Sequence, residues 1–146
     1  LRALGRYATR ESEQRMDMEV YFPGNKKVYA DYNGFTIETD QSVRGGGDGS
    51  APAPFELFLA SLGTCAGIFV LEFLRKRGLS TEGAGLRLST EFDPAAHAIT
   101  KIHMEIKLPP DFPEKYRDAV IRAADLCTVK RHLQNPPTFN VYTSIG

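Results

Sequence analysis

Cys65 and Cys127 are the only thiols in this chain of 146 residues, and they are its strongest candidates for chemistry. A thiolate attacks peroxides and disulfides, and it needs a cation or a hydrogen-bond donor beside it to form near neutral pH. Cys65 has Gly63, Ala66 and Gly67 for neighbours, small residues that let another backbone come close to the sulfur. The plainer alternative is that both cysteines act as small hydrophobes in a core. Neither belongs to a C-x-x-C pair, so a reversible disulfide between them requires the fold to bring their Cα atoms within about 7 Å.

Other candidates are weaker. Arg44-Gly-Gly-Gly-Asp-Gly-Ser50 precedes a helix, where exposed amides attract phosphate. The stretch has no Gly-Lys-Ser/Thr, its glycine offsets do not fit the dinucleotide fingerprint, and Asp48 would repel an anion. It reads as a flexible connection. His97, His103 and His132 are scattered without zinc-like spacing, so no metal site is expected. Ser61 lies inside an apolar helix and bonds most simply to the preceding turn.

The elements that must position the cysteines follow from periodicity. Pro52 to Arg77 reads as a long central helix, with prolines and Glu56 at its start and Arg75, Lys76, Arg77 and Gly78 at its end. Apolar residues fall on every side of it, which predicts burial on every side. Its uncharged run is shorter than the roughly 18 to 20 residues of a bilayer span, which favours a core helix over an anchor. Before it, alternation at Met18, Val20 and Phe22 marks a strand, Lys27 to Tyr32 a second, and Phe35 to Asp40 a third, the last two joined by the hairpin signal Asn33-Gly34. After it, Ala84 to Phe92 and Ile99 to Leu108 form a long hairpin. A second helix follows Pro113, with Tyr116, Val120, Ala123 and Cys127 on its core face. Thr128 to Leu133 continues as a short helical piece, and Phe139, Val141, Thr143 and Ile145 predict a last strand. Strands in runs with segregated helices indicate an α+β fold. Residues 1–15 read as a partly ordered arm and 16–146 as one domain.

Lys plus Arg and Asp plus Glu both number 18, so no basic excess points to nucleic acid or an anionic membrane. The scarcity of cysteine and the lack of a secretory signal in the residues given favour a cytoplasmic protein. Residue 1 is Leu, so sequence ahead of it is expected.

Two separated segments, Pro54-Phe-Glu56-Leu-Phe-Leu-Ala-Ser-Leu-Gly-Thr-Cys65 and Asp125-Leu-Cys127-Thr-Val-Lys-Arg-His-Leu133, resemble the paired signature of the OsmC/Ohr family of organic hydroperoxide reductases. The resemblance runs from about Met18 to the C-terminus. It implies an α+β, OsmC-like fold, an intertwined homodimer with its site at the interface, and a peroxidase that needs no cofactor and is re-reduced by an external dithiol. It further implies Cys65 as the peroxidatic cysteine, Cys127 as the resolving cysteine, and Glu56 as the carboxylate that orients an arginine over the thiolate. Arg44 lies where some members carry that arginine; in others it comes from the first hairpin, where this chain offers Lys26 or Lys27. The apolar surroundings favour alkyl or lipid hydroperoxides. Glu56 and Cys65, nine residues apart, are separated by about 13 Å of helical rise, so they cannot meet on one straight helix. Glu56 would act through Arg44 or serve a second subunit, the two helices crossing near Gly63 and Gly67. A small-molecule binder, a thiol sensor and a plain scaffold with inert cysteines are the alternatives.

Overall fold

The computed structural model describes residues 16–146, so the expected arm at 1–15 lies outside the described residues. These residues fall into two compact units, one ending at Pro54 and the other spanning Phe55–Gly146.

The first unit is an antiparallel meander of β1 (Glu19–Gly24), β2 (Lys27–Tyr32) and β3 (Phe35–Thr39) in that order. Asn33 (φ 48) and Gly34 (φ 82) make the tight turn, since a two-residue hairpin needs left-handed backbone at both positions. Val20 pairs with Ala30 and Ala30 with Ile37, so the three apolar side chains share one face.

The connection after β3 is not the loose one that its glycines suggest. Asp40 is wholly buried, and its carboxylate accepts bonds from Ser50 Oγ (2.6 Å), Gln41 N (2.7 Å), Ser50 N (3.0 Å) and Asp48 N (3.2 Å). These bonds gather residues 41–50 around one carboxylate, with a 3-10 turn over Val43–Gly45 capped by Ser42 Oγ. Asp48 then fastens the loop to the first hairpin, bonding Lys27 Nζ at 2.6 Å and Asn25 Nδ2 at 2.8 Å. The hydrogen bonds from Ser50 hold the Asp40 pKa down at about 2, against the opposing effect of burial.

The second unit is built on α1 (Pro54–Lys76). Its C-terminus closes with Leu79 N donating to Leu74 O (3.0 Å) and Gly78 N to Arg75 O (3.1 Å), Gly78 taking the left-handed conformation (φ 62) that this cap requires. β4 (Gly85–Asp93) and β5 (Ala98–Lys107) pair antiparallel, with Leu86 opposite Ile106 and Leu88 opposite Met104. A 3-10 turn at Glu114–Tyr116 leads into α2 (Arg117–Ala124), and α3 (Thr128–Gln134) follows. The architecture is α+β, with antiparallel strands and one long helix.

The core joins Leu62, Ala66, Val70, Phe73 and Leu74 of α1 to Val120, Ala124 and Cys127, with Leu86, Met104 and Ile106 packed against it. Arg77 covers one end, its guanidinium 3.7 Å from the Phe73 ring and 5.3 Å from that of Tyr116.

Other expectations change. Among the described residues only one stripe of α1 is covered, while Phe55 and Ile68 are exposed, because a single layer of neighbours can cover one side of a cylinder. By length and composition alone α1 could also cross a membrane, but its buried stripe packs as a core helix does. Positions for a Cβ on Gly63 and Gly67 lie 3.9 Å from Leu88 Cδ1 and 3.7 Å from Leu86 Cδ1, so leucines of β4 pack against that side of α1. The second helix stops at Ala124 instead of reaching Cys127, which turns out of helical backbone to begin the next helix. Finally, residues 135–146 form no strand; Phe139, Val141, Tyr142 and Ile145 are exposed, since a strand requires a neighbour with free backbone groups and none among the described residues is paired with them.

Candidate active site

Cys65 lies midway along α1, one turn beyond Leu62, and is half-buried. Cys127 is buried at the N-cap of α3, where its sulfur takes the place usually held by a serine or aspartate oxygen. The Lys130 N–H donates to Cys127 Sγ at 3.4 Å, and the Cys127 thiol points to Leu62 O at 3.9 Å. Two backbones therefore hold the second sulfur against α1, one turn from Cys65.

The two thiols are free and differ in their hold on a proton. Burial pushes the Cys65 thiol up, but hydrogen bonding from the Val129 N–H, the Cys127 thiol, and the N–H and hydroxyl of Thr128 outweighs it, and the pKa is lowered. Burial raises the Cys127 pKa, and the neighbouring Cys65 raises it further, against the Lys130 N–H that favours its thiolate. Of the pair, Cys65 is thus the group disposed to ionise.

An open cleft of 980 Å³ borders Cys127 between α1, β5, α2 and α3. Leu62, Met104, Ile106 and Val120 give it apolar walls, and Lys101 and Lys107 are among the charges that line it. Among the described residues no group of His, Cys, Asp and Glu is large enough to hold a metal ion.

Of the four residues singled out from the sequence, Cys65 and Cys127 come together. Glu56 is exposed in the first turn of α1, about 13 Å of helical rise from Cys65. Arg44 is exposed on the 3-10 turn of the first unit and forms no ion pair among the described residues. Of the two lysines also considered, Lys26 is exposed, and Lys27 is committed to Asp48 at 2.6 Å, a hydrogen bond that raises its pKa. The sequence reading missed the donors at the start of α3. Two are backbone amides, which no residue type announces; the available signal was a cysteine in the cap position immediately before a short helical segment.

The family model for OsmC-like proteins matches residues 47–142, about two thirds of the chain and both cysteines. No curated protein matches the sequence. Among solved structures, a Psychrobacter arcticus protein assigned to the osmotic stress induced and detoxification response superposes with a TM-score of 0.68 at 20% identity, covering 82% of this chain and 90% of that one. An OsmC-like protein from Mycoplasma pneumoniae gives 0.62 at 13% identity over 85% and 90% of the two chains. The organic hydroperoxide resistance protein OsmC of Legionella pneumophila gives 0.55 at 14% identity over 85% and 92%. These likenesses extend the match in fold beyond the residues of the family model. By that model and this architecture, the chain belongs to the OsmC-like protein family.

Proposed function

We propose that this protein is a thiol-dependent peroxidase that reduces organic hydroperoxides, with Cys65 as the peroxidatic and Cys127 as the resolving cysteine. The observation that carries the reading is the packing of Cys65 against the core cluster that holds Cys127, whose sulfur lies 3.9 Å from Leu62 O one turn away; the more acidic of the two thiols is also the more exposed. A Legionella pneumophila relative in fold is an organic hydroperoxide resistance protein, which agrees with that chemistry.

In the first step the Cys65 thiolate attacks the terminal peroxide oxygen. The O–O bond breaks, the alkoxide takes a proton and leaves as alcohol, and Cys65 is oxidised to the sulfenic acid. In the second step Cys127 sulfur attacks the sulfenic sulfur; the S–O bond breaks, water leaves with the Cys127 proton, and a disulfide remains. An external dithiol returns both thiols, as the reducing cytoplasm would. The donors from Thr128 and Val129 stabilise the thiolate, and Arg44 is the cation proposed to join them, oriented by Glu56. The exposed apolar residues of α1 and of the C-terminal segment support a homodimer in which these groups meet across chains; sedimentation of a monomer at micromolar concentration would dismiss it.

Cumene hydroperoxide consumption in dithiothreitol tests the mechanism. Wild type is expected to turn over many equivalents, Cys65→Ser none, and Cys127→Ser one before overoxidation. Equal loss of the first oxidation in both variants would overturn the roles. The cleft beside Cys127 favours one second reading, a small-molecule binder, for which wild type would show no turnover at all.

A further inference from the structure

The loop carrying Cys127 is closed by its own backbone, through Leu126 N to Ala123 O (3.1 Å) and Cys127 N to Ala124 O (3.3 Å). It is also bridged by side chains. Asp125 is the C-cap of α2 and Lys130 sits in the first turn of α3, and their charges meet at 2.5 Å across the cysteine. Lys130 thus holds the loop twice, by its side chain to Asp125 and by its N–H to Cys127 Sγ.

This pair is poorly placed for stability. Both side chains are exposed, at 59% and 42%, where an ion pair contributes little. Each charge also opposes its own helix: a carboxylate at the negative end of α2 and an ammonium at the positive end of α3. Exchanging the two residues would keep the pair and satisfy both dipoles. What the pair itself does is close the loop in which Cys127 is buried.

We propose that Asp125 and Lys130 are positioning residues for the disulfide-forming step, holding the Cys127 loop against α1 so that its sulfur meets the Cys65 sulfenic acid. The proposal rests on the peroxidase reading. Disulfide formation must bring the sulfurs to about 2.05 Å, and it competes with attack of the sulfenic acid on a second hydroperoxide, which yields Cys65 sulfinic acid and another alcohol. A loop that opens more often loses that competition.

The ratio of sulfinic acid to disulfide, read by intact mass after excess cumene hydroperoxide, tests this. Asp125→Asn and Lys130→Met are each expected to raise the ratio about 2- to 5-fold, the range open to an exposed pair. The double variant should be no worse than either, and the exchange Asp125→Lys with Lys130→Asp should return the ratio toward wild type. Thermal midpoints should not fall with the ratio, which separates positioning from general stability. An unchanged ratio in both single variants, additive effects in the double variant, or no recovery on exchange would overturn the proposal. Wild type that forms no Cys65–Cys127 disulfide would instead overturn the peroxidase reading.

Discussion

Gly47→Ala should unfasten the loop that Asp40 gathers, and the size of the effect follows from local geometry. A Cβ at Gly47 would lie 2.1 Å from Gln41 O, 2.6 Å from Gln41 C and 2.7 Å from Asp40 Oδ1. Ordinary contact begins at 3.4 Å, so the backbone must retreat by 3.4 less 2.1, or 1.3 Å. The groups in the way are backbone and a carboxylate already engaged with Gln41 N at 2.7 Å and Asp48 N at 3.2 Å, and none of them is the free end of a flexible side chain. We therefore expect a cost near the top of the overpacking range, about 3 kcal/mol. For a chain of this length that lowers Tm by about 6 to 12 °C. Gly85→Ala is the control, because a Cβ there meets nothing within 4 Å. Thermal melts by circular dichroism read the difference, and hydroperoxide turnover should fall with it, since the loop also carries Arg44. Equal melting of the two variants would refute the argument that closure on Asp40 leaves no room for a side chain.

Acid should act on the same carboxylate. Its folded pKa of about 2 lies below the ordinary 3.8, so ionised Asp40 contributes its full stability above pH about 4 and loses it as pH falls toward 2. Asp40→Asn should be less stable at neutral pH and should lack that part of the decline, and acid titrations of folding that stay parallel for the two proteins would contradict this. The cysteines should differ in alkylation by iodoacetamide: Cys65, with its lowered pKa, should react at lower pH and faster than buried Cys127 with its raised one. Peptide mapping across pH 6 to 9 checks the order, and preferential labelling of Cys127 would reverse it.

How far the residues disclosed the fold depended on whether each feature is local. The alternation of Leu86 and Leu88 against Met104 and Ile106 gave the long hairpin, because a period of two survives only when one face is covered. Asn33-Gly34 disclosed its turn, and Gly78 the end of α1, since both conformations all but require those residues. The 41–50 loop was misread because its order comes from Asp40, one residue whose partners lie up to ten positions on. Both cysteines could be chosen from the sequence as a pair. The groups that separate their acidities could not, being mostly main-chain amides brought by the break between α2 and α3. For residues 139–145 alternation recorded a preference for extended chain without naming a neighbour.

That last segment has a practical consequence for anyone producing the protein. Phe139, Val141, Tyr142 and Ile145 stand in water in the isolated chain, and an alternating apolar stretch of this kind can pair with an open sheet edge that it meets. An affinity tag fused after Gly146 would burden this stretch directly, altering both solubility and association. A tag ahead of residue 1 keeps the stretch unencumbered and is the better choice for measuring either.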